Sequence, residues 1–493
     1  MPDGPDDHTA RRPLALGVNL AGYFDATLGL GEAVRQVAGA LDAAGVAVAR
    51  IPLRHGSAPA HDSDAAPSGA SGASDAPHPA TIVCANPDGM AGALADVPGA
   101  FAGRRTIGLW WWEVMAFPDR WLRAFDAVDE VWVGSRFVAD ALAAVSPVPV
   151  VAMAMPVAQP LPAPVDRAAL GLPDGFLFGF VFDYGSVVER KNPLGLVDAF
   201  TRAFPAEAGG DERLVLKALG GDRHPAEHAA LMDAAARDPR VHVIDRHLPK
   251  AENDALIAAL DCYVSLHRSE GFGLTIAEAM LLGTPVVTTA YGGPMDFATP
   301  FNAALVDHRL VAIGPGQDPY PADGEWAEPD LGHAAAQMRA VRADPDGARR
   351  RADRARADVA ARHAPAVAGR AMAERLAAAL RVPRGAGGRV DALDLAPAEQ
   401  RVRAGAAQAA PGTGRARGAL RDTVLRLLRP YSAHQRLVDE ELLRLVRTLD
   451  ERVRGVASAQ STLAAEVARL RRRIDGDEGP ESPAGHVPPS NEP

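Results

Sequence analysis

Two series of short apolar runs, each broken by glycine turns and helix-like stretches, most constrain how this chain can fold. The first series lies at residues 14–20, 46–51, 80–85, 106–109, 130–133 and 148–152. The second lies at 176–182, 214–218, 241–244, 262–266 and 286–289. Between the first two runs come a glycine-bearing turn at 22–32 and a helical stretch at 33–41, closed by Gly45. That is a βαβ opening, the start of a parallel sheet. Residues 156–173, between the two series, hold five prolines, which suits a linker. A chain of 493 residues is too long for a single core. The expected fold class is therefore α/β, with two facing Rossmann-like doubly wound domains at 13–155 and 176–380 and a linker at 156–175. Ligands of such sheets bind beyond the carboxyl ends of the strands, where the glycine turns of this chain fall.

Composition narrows the class. A net charge of −10 argues against a general nucleic-acid binder. Cys84 and Cys262 are far apart and each lies inside an apolar run, so they read as small buried hydrophobes and not as a disulfide framework or zinc site. The first residues are polar and acidic with no apolar signal region behind them, and no apolar run is long enough to cross a bilayer. The expectation is a cytoplasmic protein, with peripheral contact to the inner face of the membrane left open. Residues 55–79, rich in Ala, Ser, Gly, Asp and Pro, read as a disordered insertion in the first domain.

The chemistry concentrates in residues 265–278. An apolar run precedes a turn bearing Glu270, Gly271, Phe272 and Gly273, and a helix follows from Leu274 and Thr275 through Glu278. Gly283-Thr-Pro285 stops that helix. A strand, a glycine turn and a helix start form an anion site, because the first helical N–H groups lack intrahelical acceptors. Glycines on both sides of an aromatic residue are poor helix chemistry unless the backbone must approach something closely. The plain alternative is a strand–turn–helix with two solvated glutamates. A second cluster, Ser186 to Asn192, follows the first strand of the second series and carries Arg190 and Lys191 toward the same strand ends. A third, Gly29-Leu-Gly31-Glu32, precedes the first helix. Trp110-Trp-Trp-Glu113 and His267 each admit a packing role or a place in the cleft. Residues 291–296 form a loop of small residues able to admit a sugar, Lys217 closes a strand, and 324–330 reads as a structural lid.

Taken together, the Ser-Glu-Gly-Phe-Gly-Leu run, its glycines and Gly283-Thr-Pro285 resemble the signature of family 4 glycosyltransferases, which have the GT-B fold and use nucleotide-sugar donors. The resemblance covers residues 14–380 and is nearest to bacterial members that build cell-surface polysaccharide, mannosyltransferases among them. It implies that Glu270 contacts the donor sugar, that Glu278 contacts the ribose, and that Lys191 binds phosphate. It implies donor contacts for residues 271–275 and for the glycine turn of Gly29 and Gly31. Where the family often has an arginine this chain has Ser186, so Arg190 supplies that charge or Ser186 gives a neutral hydrogen bond. No cleft histidine is identified in the first domain; Glu113 stands in that region, and Glu113 and His267 are the acceptor-side candidates. The implied activity is retaining transfer of a hexose to a saccharide or lipid-linked acceptor, with no cofactor and no metal. A sugar-nucleotide epimerase or hydrolase on the same scaffold, or a non-catalytic assembly scaffold, are the alternatives.

The C-terminal region departs from this pattern. Residues 384–418 are Arg/Ala/Gly-rich and read as a flexible linker. From Leu442 to Ile474 apolar residues recur at spacings of four and three, with Val446, Val453, Gln460, Val467 and Ile474 in equivalent positions. β-Branched residues there, with Leu opposite, favour a parallel two-stranded coil, and Gln460 can fix its register. Residues 419–476 are thus expected to form an amphipathic helix and coiled coil that makes a homodimer, with a disordered tail at 477–493. Arg415, Arg417, Arg421, Arg426 and Arg429, interleaved with leucines, suit an anionic bilayer or the acidic body of the protein.

Overall fold

The computed structural model describes residues 16–26, 29–54, 76–158 and 166–381. In the first domain β1 (Gly17–Gly22) leads to α1 (Gly29–Ala43) and β2 (Ala47–Pro52). There follow β3 (Ala80–Cys84), α2 (Met90–Asp96), β4 (Arg105–Trp110), a 3₁₀ stretch at Asp119–Ala127, β5 (Glu130–Val133), α3 (Arg136–Ala143) and β6 (Val150–Ala152). The six strands are parallel in the order β2-β1-β3-β4-β5-β6. The central strands are mostly apolar; β1, β3, β4 and β5 are buried at every position, whereas the edge strand β2 is exposed or half-buried along its length.

The second domain repeats the plan. It comprises β7 (Phe176–Val181), α4 (Val188–Lys191), α5 (Pro193–Ala203), β8 (Glu212–Ala218), α6 (Pro225–Ala236), β9 (Val241–Asp245), α7 (Lys250–Ala259), β10 (Cys262–Ser265), α8 (Leu274–Leu282), β11 (Val286–Thr289) and β12 (Ala304–Val306). Its strand order is β12-β11-β10-β7-β8-β9, all parallel. The order reverses at β7, with β8 on one side and β10 on the other. That switch point opens a crevice at the carboxyl ends of β7 and β10, and the loops after these strands carry Arg190, Lys191 and Glu270.

Beyond β12 the chain differs from the sequence reading. The expected lid at 324–330 contains β14 (Glu325–Pro329), paired antiparallel with β13 (His308–Ala312) in a two-stranded arm. Helices α9 (Leu331–Ala343), α10 (Pro345–His363) and α11 (Pro365–Arg381) complete the described chain. α11, placed by the sequence in the second domain, packs on α1 of the first. A Cβ on Gly369 would lie 1.9 Å from the Ala40 carbonyl oxygen, so only glycine permits that approach. Arg375 also pairs with the buried Glu130, at 2.5 Å. The end of the insertion at 55–79 is ordered, since the His78 amide donates to Asn19 Oδ1 at 3.1 Å and Ala76 is buried. In the linker at 156–175, Arg167 donates to the Ala259 carbonyl and pairs with Asp261 at 2.9 Å. Both cysteines are free and buried. The linker at 384–418, the helix and coil at 419–476 and the tail at 477–493 lie outside the described residues.

Candidate active site

The loop after β7 is held in an unusual backbone conformation. Val187 and Asn192 flank the short α4 with φ of +61° and +57°. A β-branched residue there is a genuine outlier, costing about 1–3 kcal/mol, and such strain persists only when surrounding contacts enforce it. Those contacts come from the loop after β10. Asn192 Nδ2 donates to the Leu266 carbonyl at 2.9 Å, Arg190 Nη1 to the Ser269 carbonyl at 2.8 Å, and the Arg268 amide to the Arg190 carbonyl at 2.7 Å. The two loops are thereby joined across the switch point.

Their joining brings both cations onto one carboxylate. Lys191 Nζ lies 2.5 Å from Glu270 Oε1, and Arg190 Nη1 lies 3.2 Å from Oε2. Burial alone would push the Glu270 carboxyl up, but Lys191 and Arg190 outweigh it and hold the pKa down at about 2. Burial lowers the Lys191 ammonium while Glu270 opposes that, and the short contact supports the ion-paired form. The Ser186 carbonyl accepts from Arg190 Nε at 3.2 Å.

Gly273, at φ +84°, turns the chain into α8 with no side-chain cap. The first-turn N–H groups of Leu274 and Thr275 have no intrahelical acceptor, the feature on which the expectation of an anion site rests. Thr275 Oγ1 is occupied, accepting from Tyr263 OH at 2.8 Å. One turn inside the helix, Glu278 is almost fully buried. It lies 3.1 Å from Lys250 Nζ, and Lys250 is shared with Asp254. Burial pushes the Glu278 carboxyl up to about 7; Lys250 opposes this, while Asp254 and Glu32 add to it. Glu32, in the first turn of α1, thus faces this pocket from the first domain while bonding Arg35 and Gln36. Gly31 serves its own turn, since a Cβ there would meet the Ala26 carbonyl oxygen at 2.1 Å, whereas Gly29 has open space around it.

Several sequence expectations change here. A Cβ on Gly271 would lie 2.2 Å from the Trp112 carbonyl oxygen, so the glycine is required by the other domain's backbone. Ser135 Oγ donates to the Gly271 carbonyl at 2.5 Å, and Ser269 Oγ donates to the Glu113 carbonyl. Phe272 is buried against Phe297 and His363, each ring 5.3 Å away, and is a packing residue and not a ligand face. Gly293 of the 291–296 loop makes way for protein, since a Cβ there would lie 2.0 Å from the Gly271 carbonyl oxygen. His267 is not an acceptor-side group. It is fully buried, with Nδ1 3.0 Å from Ser265 Oγ and Nε2 3.1 Å from the Tyr291 carbonyl, and burial holds its pKa at about 4. Glu113 lies close enough to Arg190 and Lys191 for its charge to act on both, and Tyr320 OH donates to its Oε2 at 2.9 Å. Lys217 is buried, and burial lowers its pKa against the opposing charges of Asp183 and Asp245.

Residues 177–310 match the family model described as glycosyl transferases group 1. Over 136 residues the chain is 35% identical to the D-inositol 3-phosphate glycosyltransferase of Actinosynnema mirum, a match covering 26% of this chain and 31% of that protein. The chain therefore spans about a third of the length of that relative. A sucrose-phosphate synthase from Thermosynechococcus elongatus superposes with a TM-score of 0.57 at 18% identity, covering 75% of this chain and all of the other. Anabaena HepE in complex with UDP and glucose superposes with a TM-score of 0.52 at 16% identity, covering 74% and 100%. The two facing parallel-sheet domains are thus a GT-B fold.

Lys250 and Tyr320 line this site without having been singled out in the sequence. The Pro249-Lys250 helix start and the Lys250–Asp254 spacing were readable, but nothing local placed them against Glu278. Tyr320 lies between two prolines in a stretch without periodicity.

Proposed function

We propose that this protein is a retaining glycosyltransferase moving a hexose, with a mannose-like sugar favoured, from a nucleotide diphosphate sugar to a saccharide or lipid-linked acceptor in cell-surface polysaccharide synthesis. One observation carries this reading: Arg190, Lys191 and the uncapped start of α8 converge beside Glu270 at the switch point of the second sheet. A donor diphosphate placed there takes the two cations and the helix N–H groups, releasing Glu270 toward the sugar. The ribose hydroxyls then fall to Glu278. HepE, which shares the fold, was seen with UDP-glucose, and the group 1 match covers these loops.

In the transfer step the acceptor oxygen bonds the anomeric carbon from the face that the diphosphate leaves. The carbon–phosphate-oxygen bond breaks as the new bond forms, and the acceptor proton passes to the departing phosphate oxygen. Glu270 stabilises the positive charge developing on the sugar, while Lys191 and the α8 amides stabilise the leaving group. These groups take the role of a cation, so the proposal needs no metal. Among the described residues no group of three His, Cys, Asp or Glu side chains is placed to share an ion. No described helix is long and apolar enough to cross a membrane.

The test is a panel of UDP-glucose, UDP-N-acetylglucosamine and GDP-mannose with purified protein, read by donor cleavage and by the anomeric configuration of the product. Transfer with retained configuration supports the reading; isomerised donor alone indicates an epimerase. Inert protein whose Glu270→Ala variant still restores cellular function indicates a scaffold. Dimerisation through 419–476 is a separate proposal: removing 436–493 should halve the oligomeric mass and keep donor binding, and an unchanged mass would refute it.

A further inference from the structure

The antiparallel arm between β12 and α9 ties the two domains together at the candidate site. Its root lies on the strand end that precedes Glu270, where Arg268 Nε donates to Glu328 Oε2 at 2.6 Å and the Ala327 amide donates to the Arg268 carbonyl at 2.8 Å. Its tip lies in the first domain. Ile313, Tyr320 and Trp326 join the apolar cluster of Trp112, Val114 and Phe117. Arg120 pairs with Asp318 at 2.6 Å and donates to the Pro319 carbonyl at 3.1 Å. The Tyr320 ring lies 5.3 Å from Trp112, and its hydroxyl reaches Glu113 Oε2.

We propose that Tyr320 is a positioning residue for sugar transfer: it fixes the Glu113 carboxylate on the wall of the cleft opposite Glu270, in one orientation toward the transferred sugar or the incoming hydroxyl. Glu113 is held at two atoms, its carbonyl by Ser269 and its Oε2 by Tyr320, and both partners belong to the second domain. A first-domain side chain is thus oriented by residues that lie later in the chain, in the loop before Glu270 and in the arm. With Oε2 engaged by the phenol, Oε1 is left to accept a hydroxyl. Arg190 feels both Glu113 and Glu270, so the two carboxylates flank one pair of cations. When a diphosphate takes those cations, both carboxylates are left facing the sugar. The arm thus fixes a first-domain carboxylate beside the cations of the second sheet.

This inference rests on the transferase reading, and its test separates the two. Tyr320→Phe keeps the ring against Trp112 and removes only the hydroxyl. With UDP-glucose, UDP-N-acetylglucosamine and GDP-mannose as probes, the expected result is UDP affinity and donor KM within about twofold of wild type. The expected kcat is about tenfold to a hundredfold lower, the loss of one hydrogen bond to a charged group. Glu113→Gln should lose a similar factor, and the double variant should fall no further than the worse single one. Wild-type kcat in Tyr320→Phe, equal losses in affinity and kcat, or factors that multiply in the double variant would each overturn the proposal. If wild-type protein cleaves none of the probes, the pairing is judged by melting, and the transferase reading is judged separately by whether Glu270→Ala still restores cellular function. Non-additive Tm losses in the same three variants would then support a Tyr320–Glu113 unit, and additive losses would overturn it.

Discussion

Glu270 and Glu278 stand on either side of the first turn of α8, and both are largely removed from water, yet their surroundings charge them in opposite directions. Burial pushes both carboxyls up. Glu270 has two cations within hydrogen-bond reach and is held at about 2. Glu278 shares one lysine with Asp254, feels Glu32 across the cleft, and rises to about 7. Cation count, not depth, decides the sign. The cleft therefore has a cationic end, suited to a diphosphate, and an acidic end that repels anions and suits neutral hydroxyls. A nucleotide sugar has this polarity along its length, with an anionic centre between two hydroxyl-rich rings.

The strongest way to break the contrast is Glu270→Ala. It should lower donor turnover by about a hundredfold or more. It also leaves Arg190 and Lys191 buried without a carboxylate, a change that costs about 3–5 kcal/mol in comparable pairs. Glu270→Gln, which keeps the shape, separates the two effects, and wild-type turnover in it would count against a role for the charge. Lys191→Ala comes next, with UDP affinity about tenfold to a hundredfold weaker by calorimetry. At the acidic end the effects are smaller and pH-dependent. Affinity for UDP-glucose, whose diphosphate does not titrate near neutrality, should rise by up to about tenfold from pH 6 to pH 8 as Glu278 ionises. Glu278→Gln should make that profile flat. The smallest change is expected from Lys250→Met, which removes the cation opposing the upward shift and should move the same profile to higher pH.

Stability should show the same opposition. The Glu270 carboxyl is lowered on folding, so its contribution is present above about pH 4.5 and is lost as pH falls toward 2. The Glu278 carboxyl is raised, so the fold is favoured below pH 4.5 and loses stability as pH rises through about 7. Glu278→Gln should accordingly gain about 1–3 kcal/mol at pH 8 and nothing at pH 4 in denaturant titrations. A constant difference at both pH values would mean that the glutamate does not titrate as its surroundings imply.

Parallel strands buried on both faces are continuous apolar runs, which is why Glu130–Val133 and Val286–Thr289 stand at the residues expected for them. The β13–β14 arm has no such pattern. Leu310 is exposed and the turn is rich in Pro, Gly and Asp, so what reads as a structural lid at 324–330 in sequence is part of an interdomain tie in space. Glycine showed where the backbone needs room but not what fills it: Gly271 and Gly293 make way for protein, and Gly369 for a helix of the other domain. Charge pairs were the least legible, because Lys250 meets Glu278 only through the packing of α7 and α8. His267 at a strand end admits a packing role or a place in the cleft from sequence alone, and its burial with a partner on each ring nitrogen decides for packing.

The most direct measurement is a crystal structure of the protein with UDP-glucose bound. The expected result has the diphosphate within hydrogen-bond distance of Lys191 Nζ and the Leu274 and Thr275 amides. The glucose then lies between Glu270 and Glu113, and the ribose hydroxyls lie on Glu278. A nucleotide bound with its diphosphate away from the start of α8, or with its ribose away from Glu278, would contradict the division of the cleft into a cationic end and an acidic one.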